Sequence, residues 1–451
     1  MIEKSYFKVT TSIGTISLFS VAIPLIFETI TNNLIGTINT VVLSSYSQAA
    51  VTAVAAANSL LSTFSLFFVV ISLGATVVIS NYIGAEELKS AEEASLITII
   101  MYILIGLGGS VCLYIFRYPL ISMMNVTGSI LEEAVCYFEI RGSMFAILAC
   151  SSALTALLRC YGHAGSTVIG GAVVSILNLL FSVFVIRFAH YSPVTGVKGV
   201  AWASVMSQSV GLLIYFCLFV RFKMKLRFVE NVQALKKHVL KILKIGIPSG
   251  ISSASLAISQ TITTSFVALL GMEMLNAKVY LNTILNYVYI FSVSLGSANS
   301  LLVGRLYGAR QFEQADKANK QLVKITMFLN LFLSISVLFL RKPLLSLFTD
   351  QEEILGIALG IMLIDIITEQ GRAVSHVYEY SLRAVGDVLF TVVSVIVLGW
   401  GFSIGLAYYL GIYHKLGLLG FWIGLALDEG IKGVLTWKRW NYLRRKEYAR
   451  C

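Results

Sequence analysis

The sequence predicts an all-α integral membrane protein of about twelve transmembrane helices arranged as two six-helix pseudo-repeats. Three observations lead there. Of its 451 residues, 57% are hydrophobic and only 13% charged, which leaves too little polar surface to cover a water-soluble globule. Apolar runs long enough to cross a bilayer, about 20 residues at about 1.5 Å each, follow one another along the whole chain. Landmarks of the first half return in the second at one offset of 224 residues.

The runs fall at roughly 13–43, 50–80, 92–116, 132–158, 165–190 and 198–222, then, after a charged connection, at 240–270, 275–304, 319–340, 352–382, 387–411 and 416–440. This gives an amino-terminal lobe over 1–222, a cytoplasmic linker over 223–239, and a carboxy-terminal lobe with a basic tail over 240–451. The net charge of +11 is not the footprint of a nucleic-acid binder, because the basic residues collect in connections rather than on a folded patch. Arg221, Lys223, Lys225, Arg227, Lys236, Lys237 and Lys241 mark one such connection, and Arg305, Arg310, Lys317 and Lys320 another. With the tail residues Lys438, Arg439, Arg444, Arg445 and Lys446, they place both termini in the cytoplasm of a cell (plasma or inner) membrane protein. The loop with Glu86, Glu87, Lys89, Glu92 and Glu93 is net acidic, and acids weigh little in that rule. The first apolar run exceeds a signal peptide's core and no small-residue cleavage site follows it, so it is expected to be retained. Six cysteines without a CxxC pair indicate neither disulfides nor a metal site.

The duplication rests on particular residues. Pro24 answers Pro248, and Pro119 answers Pro343, so four of five prolines match at one offset. Gly84-Ala85 answers Gly308-Ala309, Arg117-Tyr118-Pro119-Leu120 answers Arg341-Lys342-Pro343-Leu344, and Leu158-Arg159 with Gly162 answers Leu382-Arg383 with Gly386. Two halves with an even helix count share one orientation, which is transporter architecture with a path expected between the halves.

The first run carries a proline and, one turn on, a carboxylate: Pro24 and Glu28. Proline deletes a backbone bond and bends a helix, and a carboxylate near the bilayer centre costs roughly 2.5–3.5 kcal/mol unless it meets water, a partner or a proton. Pro24 is therefore a candidate hinge and Glu28 a candidate coupling-ion group. A packing kink with a neutral, hydrogen-bonded acid remains the alternative.

The tenth run is the other polar anomaly. Asp365, Glu369, Arg372, His376, Glu379 and Arg383 lie 4, 3, 4, 3 and 4 residues apart, within about 40° of one line along a helix. Such a seam faces protein or a wet cavity, never lipid. Asp365, Glu369, Arg372 and His376 are candidates for a substrate site, against the alternative of an ion network that fixes the helix in its lobe. Glu369 is spaced to pair with Arg372, and Glu379 with Arg383; Arg372 and His376 are expected to meet through water. Gly371 leaves room for close approach of a backbone or a ligand. Arg141 is expected on backbone carbonyls or a neighbouring helix, with a transport role as the alternative, and Asp428, Glu429 and Lys432 as a clamp along the last helix, with a substrate site as the alternative. His163, His190, His238 and His414 are expected to be solvated, and Trp437 and Trp440 to anchor at the membrane boundary.

These landmarks together resemble the multidrug and toxic compound extrusion (MATE) family, within the wider polysaccharide and lipid flippase superfamily. The residues that carry the resemblance are the Pro24 helix, Ala53 to Asn58, Gly74 through Tyr82-Ile83-Gly84-Ala85, Leu158-Arg159 with Gly162, Leu382-Arg383-Ala384-Val385-Gly386-Asp387, and Gly420-Phe421-Trp422-Ile423-Gly424. The resemblance implies a V-shaped pair of six-helix lobes that exports amphipathic, often cationic compounds in exchange for sodium ions or protons. It also implies an amino-lobe cation site, with Asn39 where many members carry aspartate, Asn178 matching, Ser182 in place of an acid and Ser204 in place of a threonine. Asn39 and Asn178 are thus candidate coupling-ion ligands, but the set holds oxygens without charge, a weak site for sodium. The seventh helix lacks the family's frequent glutamate.

The expected activity is secondary antiport, with H+ favoured over Na+ as coupling ion, no cofactor, a small-molecule substrate, the lipid bilayer as surroundings, no nucleic-acid partner, and a monomeric state. A flippase for a lipid-linked precursor, or an exporter of a specific metabolite such as a flavin-like anion, is the alternative. An enzyme is not expected, since no HExxH, serine elbow or paired intramembrane aspartate occurs, and no P-loop supports direct ATP drive.

Overall fold

The computed structural model describes residues 6–12, 14–44, 47–124, 126–187, 196–348 and 352–448, apart from the side chains of 32, 34–42, 44, 48, 187, 352, 353 and 446–448. A short antiparallel hairpin comes first, β1 (Lys8–Thr11) and β2 (Gly14–Ser17), with Lys8 opposite Ser17. Gly14 sits at φ +135°, a backbone shape that suits glycine. The expected first span therefore starts later than residue 13, because Thr15, Ile16 and Ser17 pair in the hairpin instead of opening the helix.

The helices then follow in order: α1 (Leu18–Ser44), α2 (Gln48–Gly84), α3 (Leu88–Ile115), the short α4 (Arg117–Ser122), α5 (Gly128–Ser143), α6 (Phe145–Cys160), α7 (Ala164–Arg187) and α8 (Gly196–Arg221). The second series comprises α9 (Val232–Ala268), α10 (Met272–Gly308), α11 (Phe312–Phe339), the short α12 (Arg341–Leu345), α13 (Glu352–Ala384), α14 (Val388–Leu398) and α15 (Leu418–Tyr448). α14 continues as wider π-type turns over 399–406 and 409–413. Among the described residues nine helices are long and apolar enough to span a membrane, and α5 with α6, bent by 48°, makes a tenth span. α1, with its apolar segment Leu18–Thr31, and the 31-residue α15 complete twelve.

The duplication is visible residue for residue. α2 and α10 are each 37 residues long and α3 and α11 each 28, and every pair begins 224 positions apart. Pro24 and Pro248 both lie inside helices, whereas Pro119 and Pro343 both open short ones. Left-handed backbone recurs at Glu86 and Arg310, both at φ 59°, and at Gly162 and Gly386. The symmetry is incomplete: α5 and α6 are separate at Met144 while the corresponding α13 is continuous, the hairpin at 8–17 has the start of helix α9 as its counterpart, and α7 runs on where α14 passes into π-type turns.

The chain groups into two compact units, an amino-terminal one of residues 23–79 and 87–247 and a carboxy-terminal one of residues 1–22, 80–86 and 248–451. In the amino-terminal unit Phe68 stacks on Phe145 at 4.7 Å and meets Tyr102 at 5.7 Å, in a core with Leu113, Phe138 and Ala149. In the carboxy-terminal unit Leu281, Ile361, Met362, Phe421 and Trp422 form the corresponding core. α13 and α15 come to backbone contact there: a Cβ on Gly371 would lie 2.8 Å from the Gly430 nitrogen. Leu104, Leu107, Val111 and Ile115 on α3, and Leu389, Val393 and Val397 on α14, stay exposed at helical spacing, the apolar faces a bilayer would cover.

Candidate functional site

Glu28 and Arg159 meet in the amino-terminal unit. Pro24 frees one backbone carbonyl a turn earlier on α1, and Arg159 comes from the last turn of α6. Nη2 of Arg159 donates to Glu28 Oε1 at 2.6 Å and to Oε2 at 2.9 Å. Both side chains are partly open, at 21% for Glu28 and 27% for Arg159. They line a cavity of about 410 Å³ with Ser72, Thr155, Tyr215 and Gln208. Tyr102 and Tyr215 border it but spend their hydroxyls on backbone carbonyls, of Phe68 at 3.0 Å and Thr167 at 3.4 Å. Arg159 was legible in the sequence only as part of a repeated motif. The signal for its role was the cost of an intramembrane acid, which calls for a counter-charge at similar depth.

A second cavity, of about 280 Å³, adjoins the first and shares Leu148 and Gln208 with it. Arg141 lines it, beside the bend between α5 and α6. Its guanidinium lies 5.9 Å from the Tyr137 ring, and among the described residues no carboxylate pairs with it. Glu139, two residues earlier, turns away to Arg117 at 3.3 Å. Of the amino-lobe oxygen set, Asn178 donates to Ser204 Oγ at 3.0 Å and Ser182 is buried at 2% exposure. The Asn39 side chain lies outside the described residues.

The tenth-run seam is brought together as spaced, on α13, inside the carboxy-terminal unit. Glu369 is fully buried, takes Arg372 Nη1 at 2.5 Å on one oxygen and the Asn330 amide at 3.1 Å on the other. Arg372 also lies over the Tyr289 ring, 4.7 Å from its centre. Asp365 accepts from Trp422 Nε1 at 3.3 Å. His376 is packed edge-on against Tyr289 and stands 4.0 Å from Glu379, which binds Arg383. Around them Ser375 donates to Glu429 at 2.7 Å, and Lys432 reaches Glu429 at 3.1 Å and Asp428 at 3.4 Å. The space at Gly371 is taken by the α15 backbone, not left for a ligand.

Two other expectations change. His238 is not solvated: it is 3% exposed and meets Glu93 at 3.1 Å. Trp440 is not a boundary anchor, because it is buried and donates to Asp316 at 3.1 Å; an indole can be apolar in body and still need a partner for its N–H. His190 lies outside the described residues. Among the described residues no group of three or more His, Cys, Asp or Glu side chains is arranged to hold a metal ion.

Twelve helices in two six-helix repeats, with ionisable side chains inside the spans and polar cavities beside them, define a multi-pass membrane transporter. The MatE family model matches residues 24–184 and 248–409, one segment in each repeat, and the chain belongs to that family. Its relatives include the uncharacterized transporter YisQ of Bacillus subtilis (strain 168), 31% identical over 431 residues that cover 95% of this chain and 94% of that one. The probable multidrug resistance protein YoeA of the same organism is 25% identical over 412 residues, 88% of this chain and 87% of that one. Among solved structures, a MOP superfamily transporter from Pyrococcus furiosus superposes with a TM-score of 0.86 over 96% of both chains at 18% identity, which speaks for the fold alone.

Proposed function

We propose that this protein is a secondary antiporter that exports small amphipathic organic compounds bearing a cationic group in exchange for protons, with Glu28 as the group that takes up the proton. One observation carries the reading: a carboxylate within the first span, one turn past a helix proline, lines a cavity of about 410 Å³ and is held by a single arginine. Such a volume suits a small organic molecule. A proton on Glu28 neutralises the carboxylate that Arg159 pairs with, so the protonated and ion-paired forms are alternative states of one site. Pro24 then gives α1 a point about which the two states differ in bend.

Protons are favoured over sodium because the amino-lobe oxygens of Asn178, Ser182 and Ser204 carry no charge, and hard cations are held by carboxylates. The protein works as a monomer in the cell membrane with both termini in the cytoplasm, needs no cofactor, and performs transport rather than catalysis. The test is dye efflux from proteoliposomes under imposed proton and sodium gradients, applied separately. Proton-driven efflux that Glu28→Gln abolishes, with the protein still folded, is the expected result. Undiminished efflux in Glu28→Gln eliminates Glu28 as the coupling group, and efflux driven by sodium alone eliminates the proton.

A further inference from the structure

The Glu28–Arg159 pair restricts what the amino-terminal cavity can receive. The two side chains bring one negative and one positive charge to a site within the spans, where an uncompensated charge is expensive. A solute with only a cationic group that paired with Glu28 would strand Arg159. A solute with only an anionic group that paired with Arg159 would strand Glu28. A solute with both can separate the pair and satisfy each half, leaving the charge of the site unchanged.

We propose that the cavity binds zwitterions, with the anionic group on Arg159 and the cationic group on Glu28. This rests on the antiporter reading and narrows its substrate class. Three features of the cavity support it. Glu28 engages only one terminal nitrogen of Arg159 with both of its oxygens, and Nε of Arg159 is buried without a hydrogen-bond partner among the described residues. The fork that holds a carboxylate through two parallel bonds is therefore half unused. Ser151, which lines the same cavity, is 2% exposed and its hydroxyl also has no partner among the described residues. Arg141 stands in the adjoining cavity without a carboxylate, and the two cavities meet at Leu148 and Gln208. An anionic group thus has an arginine in each cavity, whereas the cationic group has one carboxylate, Glu28.

The proton and the solute's cationic group compete for the Glu28 carboxylate, so a proton that arrives there releases the cationic end of the solute. The proton forms an O–H bond to the Glu28 carboxylate and the solute's cationic group leaves with its own charge; no other covalent bond changes.

The test uses the full chain in phospholipid nanodiscs and three probes that share one ring system: tryptophan (zwitterion), tryptophan methyl ester (cation) and N-acetyltryptophan (anion). Tryptophan is expected to bind at least about tenfold more tightly than either of the others, the scale of one charge-assisted contact. Arg159→Gln is expected to bring tryptophan down to the ester's affinity, and Glu28→Gln to bring it down to that of the N-acetyl compound. Arg159→Lys, which keeps the charge, is expected to retain the preference for tryptophan at lower affinity. An ester that binds as tightly as tryptophan, or no binding by any of the three to the wild-type protein, overturns the proposal, and the wild-type ranking decides this without any variant. If proton-driven dye efflux persists while the ranking fails, only the zwitterion assignment falls. If efflux no longer depends on the proton gradient, the antiporter reading falls first.

Discussion

The Asn330 side-chain amide donates to Glu369 twice, to its carboxylate at 3.1 Å and to its backbone carbonyl at 3.0 Å, and also reaches Ser292 Oγ at 2.7 Å. One side chain of α11 thereby ties α10 to the middle of the α13 seam. Glu369 sits between this amide and Arg372, with no exposed surface of its own. Removing Arg372 leaves a buried carboxylate with a neutral partner only. Arg372→Ala is expected to lower stability by roughly 3–5 kcal/mol, the cost of breaking a buried pair from one side. Glu369→Gln combined with Arg372→Met should recover most of that loss. Thermal unfolding of the detergent-solubilised variants measures both, and a double variant no better than Arg372→Ala would refute the pairing account.

Lys432 presents the same physics with two acids. It lies 3.1 Å from Glu429 and 3.4 Å from Asp428, all three nearly fully buried on α15. Lys432→Met strands two carboxylates and is expected to cost at least as much as Arg372→Ala, of order 3–5 kcal/mol. Adding Glu429→Gln should restore part of it, since one acid fewer is left without a counter-charge. Additive losses in the double variant would show that the two residues do not interact.

Gly371 is where two helices touch through their backbones. A Cβ there would stand 2.8 Å from the Gly430 nitrogen and 2.9 Å from the Glu429 carbonyl carbon. Neither atom belongs to a flexible side chain, so Gly371→Ala forces α13 and α15 apart, at about 1–3 kcal/mol. An unchanged midpoint of thermal unfolding for Gly371→Ala would contradict the close approach.

How much of this was legible from residues alone differs between the two halves of the site. The spacing of Asp365, Glu369 and Arg372 put them on one line, and the helix period is a local rule that the fold keeps. What faces that line is not local: Asn330 comes from 39 positions away and Glu429 reaches Ser375 across 54. The same holds for Glu28, whose partner Arg159 is 131 positions off. The repeat was the strongest sequence signal, because equal element lengths keep landmarks in register, and α2, α10, α3 and α11 retain those lengths. The apolar pattern alone does not set the start of α1, because Ile16 extends the run yet pairs with Val9, and Thr15 with Thr10, as strands. Residue type alone places Trp440 and His238 at the surface; what draws them in is an acid that needs a donor, the buried Asp316 and the half-buried Glu93.

The hairpin supplies a prediction about pH outside the spans. The hydroxyl and backbone N–H of Ser12 both donate to Glu86, the latter at 2.9 Å, and hold its carboxyl below the usual carboxylate range, with the Arg305 charge adding to the effect. A depressed value means that the contact favours the ionised form, so the tether is complete at neutral pH and is lost as pH falls through that lowered value. Amide protection across 8–17, corrected for the pH dependence of intrinsic exchange, is expected to fall on acidification, and Ser12→Ala should lower it already at neutral pH. A corrected protection in the wild type that stays constant from neutral to acidic pH would contradict this.

The most direct measurement on the antiporter is the lumenal pH of proteoliposomes after a solute gradient is imposed. If Glu28 exchanges a proton for the solute, solute moving out of the lumen draws protons in and the lumen acidifies, while Glu28→Gln vesicles hold their pH. A wild-type lumen whose pH stays constant while solute crosses, or an equal acidification in Glu28→Gln vesicles, would contradict the account.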